Sequence, residues 1–401
     1  MTQSNLSVDE ALAQLLAAAR PVQDAEIVPT LHATGRILAA AQRSTIDVPS
    51  MDNSSMDGYA VRVVDCSREG VRLRVSQRIA AGDVPQPLAA GTAARIFTGA
   101  PVPPGADAIV MQELCTVDGD YVLIGAPPRA GHWIRRVGED IRAGDVILAE
   151  GRKLQAQDIG LAASVGLAEL PVRRRLKVAI FFTGSELVMP GEPLPSGAIY
   201  NSNRFTLNGL LQRMGCDIVD LGIVPDTLDA TREAFRRAAA QSDLIISSGG
   251  MSVGEEDHVK PAIEAEGQLD VWRIAVKPGK PLAFGHVGNA AFIGLPGNPV
   301  STLVCFLIFV RPFILRSQGA ANVTPRYFEL RADFDWPQAD ARREFLRARV
   351  NEQGGLSLFA NQSSAVLSSA VWADGLVDNP PKQTIAKGQV LRFLPFSALM
   401  D

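Results

Sequence analysis

The sequence predicts a multidomain fold of the α/β plus β class, built around a central doubly wound α/β domain with a parallel or mixed sheet. Three observations predict it. Between Lys177 and Leu315, short apolar runs alternate with helical stretches in the order βαβαβαβ, the pattern of a sheet covered by helices on both faces. The runs are four to six residues long and dense in Val, Ile and Phe, as strands buried on both faces require. On either side, from Ser44 to about Asp140 and from Tyr327 onward, the texture changes to short β-type runs broken by Gly and Pro, which reads as separate β domains. A chain of 401 residues also exceeds one domain and fits two to four.

In chain order, Ser7 is a polar cap candidate, with Asp9 and Glu10 in the first turn and Leu and Ala repeating behind them. A helix is expected over Ser7–Ala19, ended by Arg20-Pro21. A second, Ala-rich helix is expected over Leu31–Arg43. The β region that follows holds Tyr59-Ala-Val, Val71–Val75, Ala108–Met111 and Tyr121–Ile124 as its short runs. From Gly144 to Leu170 the reading is helical again, with an Ala/Gly-rich stretch over Ile159–Gly166. That segment and the first helices could pack as one module with the β region inserted between them. In the α/β region, strands are expected at Lys177–Phe182, Asp217–Ile223, Leu244–Ser247, Val271–Val276, Leu282–Phe284 and Ala291–Gly294. Helices are expected at Ser202–Met214, Leu228–Gln241, Val259–Glu266 and Pro299–Leu315.

Composition narrows the function. An apolar fraction of 47% with 20% charged residues describes an ordinary globular protein with ample core. A net charge of −4 argues against nucleic acid as a partner, because Arg173-Arg174-Arg175 is too short for a basic stripe. No signal-peptide pattern appears, and the apolar stretch Val300–Val310 is too short to span a bilayer, so a cytoplasmic protein with no membrane partner is expected. Four scattered cysteines read as buried small hydrophobes. The four histidines (His32, His132, His258, His286) show no paired spacing for a zinc site or a triad, and no Walker-type loop occurs.

Chemistry concentrates in the turns after the apolar runs, where ligands of parallel α/β sheets bind. Ser247-Ser248-Gly249-Gly250 places glycines directly after a strand, where backbone can approach a phosphate closely. Glu255-Glu256-Asp257 follows, and carboxylates beside a phosphate loop call for a bridging divalent cation, most simply Mg2+, which Asp226 and Glu186 could also reach. Lys277-Pro-Gly-Lys280-Pro281 is a stiff turn with two ammonium groups, an anion receptor. Leu295-Pro-Gly-Asn-Pro-Val-Ser301 opens a helix with free first-turn donors. The β region adds three loops rich in small polar groups, Asp52–Tyr59, Thr98–Asp107 and Arg135–Asp140.

DNSSMDGYA (Asp52–Ala60), TGAPVPPGADAIV (Thr98–Val110), GEDI (Gly138–Ile141), TGSEL (Thr183–Leu187), SSGGMSVGEEDHVK (Ser247–Lys260), KPGKP and GLPGNPVS together resemble the molybdopterin molybdenumtransferase family. That family, with MoeA as its bacterial form, includes the carboxyl-terminal domain of gephyrin. The resemblance covers essentially the whole chain and implies four domains. These are an elongated, mainly helical domain from residues 1–45 and 143–176, an inserted β domain at 46–142, an α/β molybdopterin-binding domain at 177–322 and a β-barrel-like domain at 323–401. It implies a homodimer that inserts molybdenum from molybdate into adenylylated molybdopterin with Mg2+, releasing AMP. Protein partners would be the molybdopterin adenylyltransferase and apo-molybdoenzymes or their chaperones.

Carried over by motif, Asp226 and Asp257 would hold Mg2+, and Glu186 would lie near the nucleotide. Asp57 and Asp140 would approach from the partner subunit, completing a catalytic set with Glu186, Lys277 and Lys280. Lys277, Lys280, Pro281, Ser301, Arg347 and a serine of Leu367-Ser368-Ser369, taken as Ser368, would surround molybdate. Further substrate contacts are implied for Thr98, Ser248, Gly249, Gly250, Ser252, Pro296, Asn298 and Pro299. Two positions depart from the family's pattern: Arg273 stands where lysine is expected, and Met251 where valine is usual. A competing reading is a non-catalytic, molybdopterin-binding or peptide-binding scaffold of the gephyrin type. It is disfavoured because no peptide groove is legible and the acidic and basic residues are all present.

Overall fold

KVAIFFT becomes the strand on which the central sheet is built. In the computed structural model, which describes residues 6–250, 258–279 and 281–400, the sheet has six strands: β1 (Lys177–Thr183), β2 (Asp217–Val224), β3 (Leu244–Ser248), β4 (Gln268–Arg273), β5 (Pro281–Val287) and β6 (Ala290–Leu295). They lie in the order β2-β1-β3-β6-β5-β4. The first four strands of that order are parallel, and β5 and β4 add antiparallel pairs at one edge, so the sheet is mixed.

Period-two alternation divides the strand residues between two cores. Val178, Ile180 and Phe182 face one side with Ile246 and Ile293, under helices α1 (Val8–Ala18), α2 (Ser202–Arg213) and the long helix Pro299–Ser317. Ala179 and Phe181 face the other with Ile245 and Phe292, under α3 (Leu228–Ala239) and α4 (Val259–Glu266). There the Phe235 ring meets Phe181 and Phe292 edge-on, with centroids 5.2 and 5.1 Å apart. Each such buried phenylalanine contributes about 1.5–3 kcal/mol. At α1 the expected cap is a full capping box: the Glu10 N–H donates to Ser7 Oγ and the Ser7 N–H to Glu10 Oε2.

Helix Pro299–Ser317 has 19 residues and is long and apolar enough to cross a membrane by length and composition, yet 89% of its apolar window is buried inside the fold. It widens to π-helical turns over Phe306–Val310. Pro312 explains the widening, because its ring would meet the Ile308 carbonyl one regular turn back.

The structure departs from three sequence expectations. The helix expected over Leu31–Arg43 is absent. Only a 3-10 turn forms at Thr30–His32, and the buried Ile37 and Leu38 are held in bridges to Lys153 and Val172, so tertiary pairing overrides the Ala-rich propensity. The helical reading of Gly144–Leu170 shrinks to Ala156–Ser164, with Val146–Leu148 and Glu169–Arg173 as strands, so residues 6–45 and 143–176 are not mainly helical. The single strand expected at Val271–Val276 is split at the buried Ile274. Leu6 bridges there, donating to the Arg273 carbonyl and accepting from the Ala275 N–H, and Val276–Lys277 leaves for a second sheet.

That second sheet joins Val276–Lys277 to Arg343–Val350, Gly375–Asn379, Val390–Pro395 and Phe328–Arg331 in order, with Leu356–Leu358 off the Arg343–Val350 strand. The Asp333 N–H then donates to the Leu356 carbonyl at 2.9 Å, returning the ladder on itself.

The chain divides into two compact units. One ends at Ala39, resumes over Glu150–Gln155 and again from Leu170; the other holds Ala40–Ala149 and Ala156–Glu169. The short helix Ala156–Ser164 thus belongs with the β region, where it packs beside strand Val146–Leu148. The β region's own sheet runs Ala108–Met111, Gly58–Val61, Thr92–Ile96, Val71–Ile79, Tyr121–Ile124, Cys115–Asp118.

Candidate active site

The parallel register aligns Phe182, Ser248 and Leu295 at the carboxyl ends of β1, β3 and β6, so the loops that follow leave the sheet at one level. Gly249 and Gly250 both have positive φ, +97° and +65°. A Cβ on Gly249 would stand 2.7 Å from the Thr183 carbonyl, and one on Gly250 would collide with Val259 and come 2.8 Å from Thr183 Oγ1. Only glycine lets this loop pass between the end of β1 and α4. Ser248 is turned inward. Its buried hydroxyl donates to the Pro296 carbonyl at 3.1 Å and accepts from Asn203 Nδ2 at 2.9 Å, tying β3 to the Pro296–Pro299 turn.

The KPG turn rests on the first turns of helix Pro299–Ser317, since a Cβ on Gly279 would collide with Cys305 Sγ and stand 3.8 Å from the Ser301 carbonyl. Strand Val276–Lys277 pairs with Arg343–Glu344, and this pairing fixes the lysine. Lys277 Nζ lies 3.0 Å from Glu344 Oε1 and 3.2 Å from Asp340 Oδ2. Burial works against its charge, but the two carboxylates outweigh it and hold the ammonium above the usual lysine range. Glu344 is itself buried, taking hydrogen bonds from Trp336 Nε1 and Asn379 Nδ2 at 3.0 and 3.2 Å.

Three residues along the same strand, Arg347 is 1% exposed. Its guanidinium donates to Ser369 Oγ, the Phe345 carbonyl and the Ser363 carbonyl at 3.1–3.3 Å. All three acceptors are neutral, no carboxylate pairs with it among the described residues, and burial pushes its pKa down to about 10. The neighbouring Ser364 receives a hydrogen bond from Asn298 Nδ2 at 3.1 Å, and its carbonyl one from the Val300 N–H at 3.0 Å. Lys277, Asn298 and Arg347 are thereby linked through one set of contacts, and the buried Ser301 lies in the helix turn that Asn298 opens. Ser368 is not among them. It is exposed at the start of the short helix Ser368–Trp372, and the adjacent Ser369 turns inward to Arg347.

The lysine clamp yields a first prediction. Lys277 has a raised folded pKa, so its stabilising contribution is fully present below about pH 10.5 and fades as pH rises through the folded value. Glu344→Gln leaves burial opposed by Asp340 alone, which lowers that value. Thermal melts between about pH 9 and pH 11 are expected to fall away earlier in Glu344→Gln than in the parent. Superimposable melting profiles would show that the pair does not govern Lys277.

On the carboxylate side, β1 and β2 pair through Thr183 and Val224, just before Glu186 and Asp226. Glu186 is exposed and Asp226 half-buried, and neither has a basic partner among the described residues. Such oxygen donors suit Mg2+. Among the described residues, however, no group of three or more metal-ligating side chains is found. Asp257, Ser252, Lys280 and Met251 lie outside the described residues, and Pro281 is described only as the β5 residue opposite the exposed Arg273.

In the other compact unit, both the backbone N–H and the hydroxyl of Thr98 donate to Asp57 Oδ1 at 2.8 Å. These bonds, the backbone one foremost, hold the Asp57 carboxyl below the usual range. Thr98 is therefore committed to positioning Asp57. Asp140 is exposed, its N–H donating to the Val48 carbonyl at 3.0 Å. The cysteines are all free, three buried and Cys115 half-buried. Burial pushes Cys216 and Cys305 up to about 12, so neither is poised as a thiolate.

Sequence reading singled out none of Glu344, Asp340 and Asn203, and named Thr183 only as the start of the TGSEL motif. Glu344 and Asp340 sit in a charged stretch that reads as solvated, and Asn203 follows Asn201-Ser, which reads as a helix cap. Asn201 is that cap, accepting from the Arg204 N–H at 3.1 Å. The available signal was a polar residue on the buried face of a helix, at the Asn203, Leu207, Leu210, Leu211 positions.

Comparison with known proteins bears on the same regions. Residues 6–166 match the MoeA N-terminal region (domain I and II), 179–316 the "Probable molybdopterin binding domain", and 329–396 the MoeA C-terminal region (domain IV). The molybdopterin molybdenumtransferase of Haemophilus influenzae is 40% identical over 403 residues, covering 98% of this chain and all of that protein. Molybdopterin molybdenumtransferase 2 of Mycobacterium tuberculosis is 37% identical, covering 92% of this chain and 93% of its own. The crystal structure of the molybdopterin biosynthesis moeA protein from Pyrococcus horikoshii superposes with a TM-score of 0.85 at 27% identity, covering 98% of this chain and 100% of that one. The chain belongs to the molybdopterin molybdenumtransferase family of enzymes, and with it to molybdenum-cofactor biosynthesis.

Proposed function

We propose that this enzyme inserts molybdenum from molybdate into adenylylated molybdopterin, in an Mg2+-dependent reaction that releases AMP. The observation that carries the reading is Arg347, a guanidinium buried with three neutral acceptors and no counter-charge among the described residues. A buried charge is costly unless paired, and a tetrahedral dianion would supply the missing partner. Lys277 would add a second cation, kept charged and aimed by Glu344 and Asp340. As thiolates replace oxygens on the molybdate, negative charge gathers beside a phosphate. Fixed cations offset that repulsion without reorganising, often the largest part of catalysis.

Asp226 and Glu186, with Asp257, would hold Mg2+, which when bound supplies Lewis acidity to the pyrophosphate. The Gly249–Gly250 loop would let backbone approach the phosphates closely. Asp57, set by Thr98, and Asp140 would reach the substrate from the partner of a homodimer.

The test is to incubate the purified enzyme with adenylylated molybdopterin and Mg2+, with and without molybdate, and to follow AMP by chromatography. Molybdate-dependent AMP release is expected. Tight nucleotide binding with no molybdate-dependent release would sink the reading in favour of a binding scaffold.

A further inference from the structure

The layer between the central sheet and its covering helices runs out at the amino ends of the parallel strands. Phe284 belongs to that layer, its ring edge-on to Phe313 of the long helix with centroids 5.9 Å apart. Alternation along β5 puts His286 on the same face, two residues nearer the turn into β6, and there it is exposed. By this level α1 has ended at Ala18 and the long helix at Ser317. The Val22 N–H donates to the Ser317 carbonyl at 2.8 Å, strapping the chain after α1 to the end of that helix.

These pieces enclose a hollow of about 580 Å³, within the range of about 300–1,000 Å³ typical of small-molecule sites. Leu176, Phe284, Phe313 and Val22 give it apolar walls, and the short side chains of Ala17 and Ala18 leave it unfilled. Arg174 and Asp243 also line it, but each is taken. Arg174 donates twice to Asp243, at 2.7 and 2.8 Å, and once to Asp24, while Asp243 receives the Lys177 N–H at 2.9 Å. Arg20, exposed just past the α1 cap, has no carboxylate partner among the described residues. Once Arg174 and Asp243 cancel, its positive charge is the fixed charge left to face the space. The loops of the candidate active site leave the carboxyl ends of β1, β3 and β6, and none of its residues lines this hollow.

We propose that the hollow is a second ligand site, built for a small aryl anion. The ring lies against Leu176, Phe284 and Phe313, where water finds no partner. The carboxylate or sulfonate turns outward to the guanidinium of Arg20, which suits its planar geometry, with His286 and Asn289 as further N–H donors at the exposed mouth. A cation of the same shape would meet Arg20 unscreened, and a neutral ring would leave the arginine without a counter-charge. The site does not depend on the transferase reading.

The probes are 2-naphthoate and its neutral isostere 2-naphthamide, titrated into the purified full chain by calorimetry. Naphthoate is expected to bind the parent saturably, at one site per chain, and naphthamide about tenfold more weakly or worse. Arg20→Gln is expected to bring naphthoate down to the level of naphthamide and to leave naphthamide unchanged. Ala18→Trp puts an indole into the space from an exposed helix end and is expected to abolish binding of both, with the ligand-free Tm of each variant equal to that of the parent. If Ala18→Trp lowers the Tm, Arg20→Gln decides alone. No saturable naphthoate binding by the parent, equal affinity for the two probes, or naphthoate affinity unchanged by Arg20→Gln overturns the site.

Discussion

Arg347→Met is expected to slow molybdate-dependent AMP release by at least about 100-fold while leaving the ligand-free protein close to its original stability. The two halves of that expectation have one cause. In the folded protein the guanidinium has lost its water, and burial alone pushes its pKa down to about 10. Against the cost stand three hydrogen bonds of 3.1–3.3 Å to neutral oxygens. Bonds from a charged donor are worth roughly 1.5–3 kcal/mol each, and burying an unpaired ion costs several. The terms nearly cancel, so methionine, of similar length and with no charge to desolvate, exchanges one balance for another. Nothing similar offsets the loss when a dianion must be held. Calorimetric titration with molybdate should show no binding to Arg347→Met and weakened binding to Arg347→Lys, which keeps the charge but not the fork. Collapse of Tm in Arg347→Met would make the arginine a structural residue, and normal turnover would remove it from the anion site.

The residues around Arg347 show what a sequence does and does not disclose. The strands of the central sheet were legible because KVAIFF, DLIIS and AFIG must be buried on two faces, and nothing but a strand between helix layers does that to so short a run. Their boundaries shift by one residue at these runs, and by up to three at the antiparallel edge strands Gln268–Arg273 and Pro281–Val287. The helix expected over Leu31–Arg43 failed because alanine content measures local preference, whereas Ile37 and Leu38 are claimed by bridges to Lys153 and Val172, elsewhere in the chain. The split at Ile274 was equally invisible, since it depends on Leu6, far away in sequence.

The site divides along the same line. Lys277, Asn298 and the glycines sit in turns of unusual composition and announce themselves. Glu344 and Arg347, the latter named only through the family resemblance, sit in an ordinary strand, REFLRARV, whose charged residues look solvated. Only the sheet pairing with Val276–Lys277 turns Glu344 inward to the lysine. Ser369 rather than Ser368 meets Arg347 because helical rotation places adjacent serines about 100° apart.

Asp226→Asn is expected to lower AMP release about 100- to 1,000-fold, again without destabilising the ligand-free protein. Asp226 is half-buried at the end of β2, Glu186 follows the adjacent end of β1, and neither has a basic partner among the described residues. With no cation paired to Asp226 among the described residues, neutralising it removes no ion pair from the ligand-free protein. A structural carboxylate would behave the opposite way, because its cation would be left unpaired. The discriminating measurement needs no turnover. On the proposed reading Mg2+ would bind the folded state and is expected to raise the Tm of the parent by mass action, to an extent set by concentration over dissociation constant. The same titration should leave Asp226→Asn nearly flat, while Asp226→Glu keeps the charge and shows a reduced rise. If Asp226→Asn responds to Mg2+ as the parent does, Asp226 holds no cation, and the metal side of the proposed reaction must be sought on other residues.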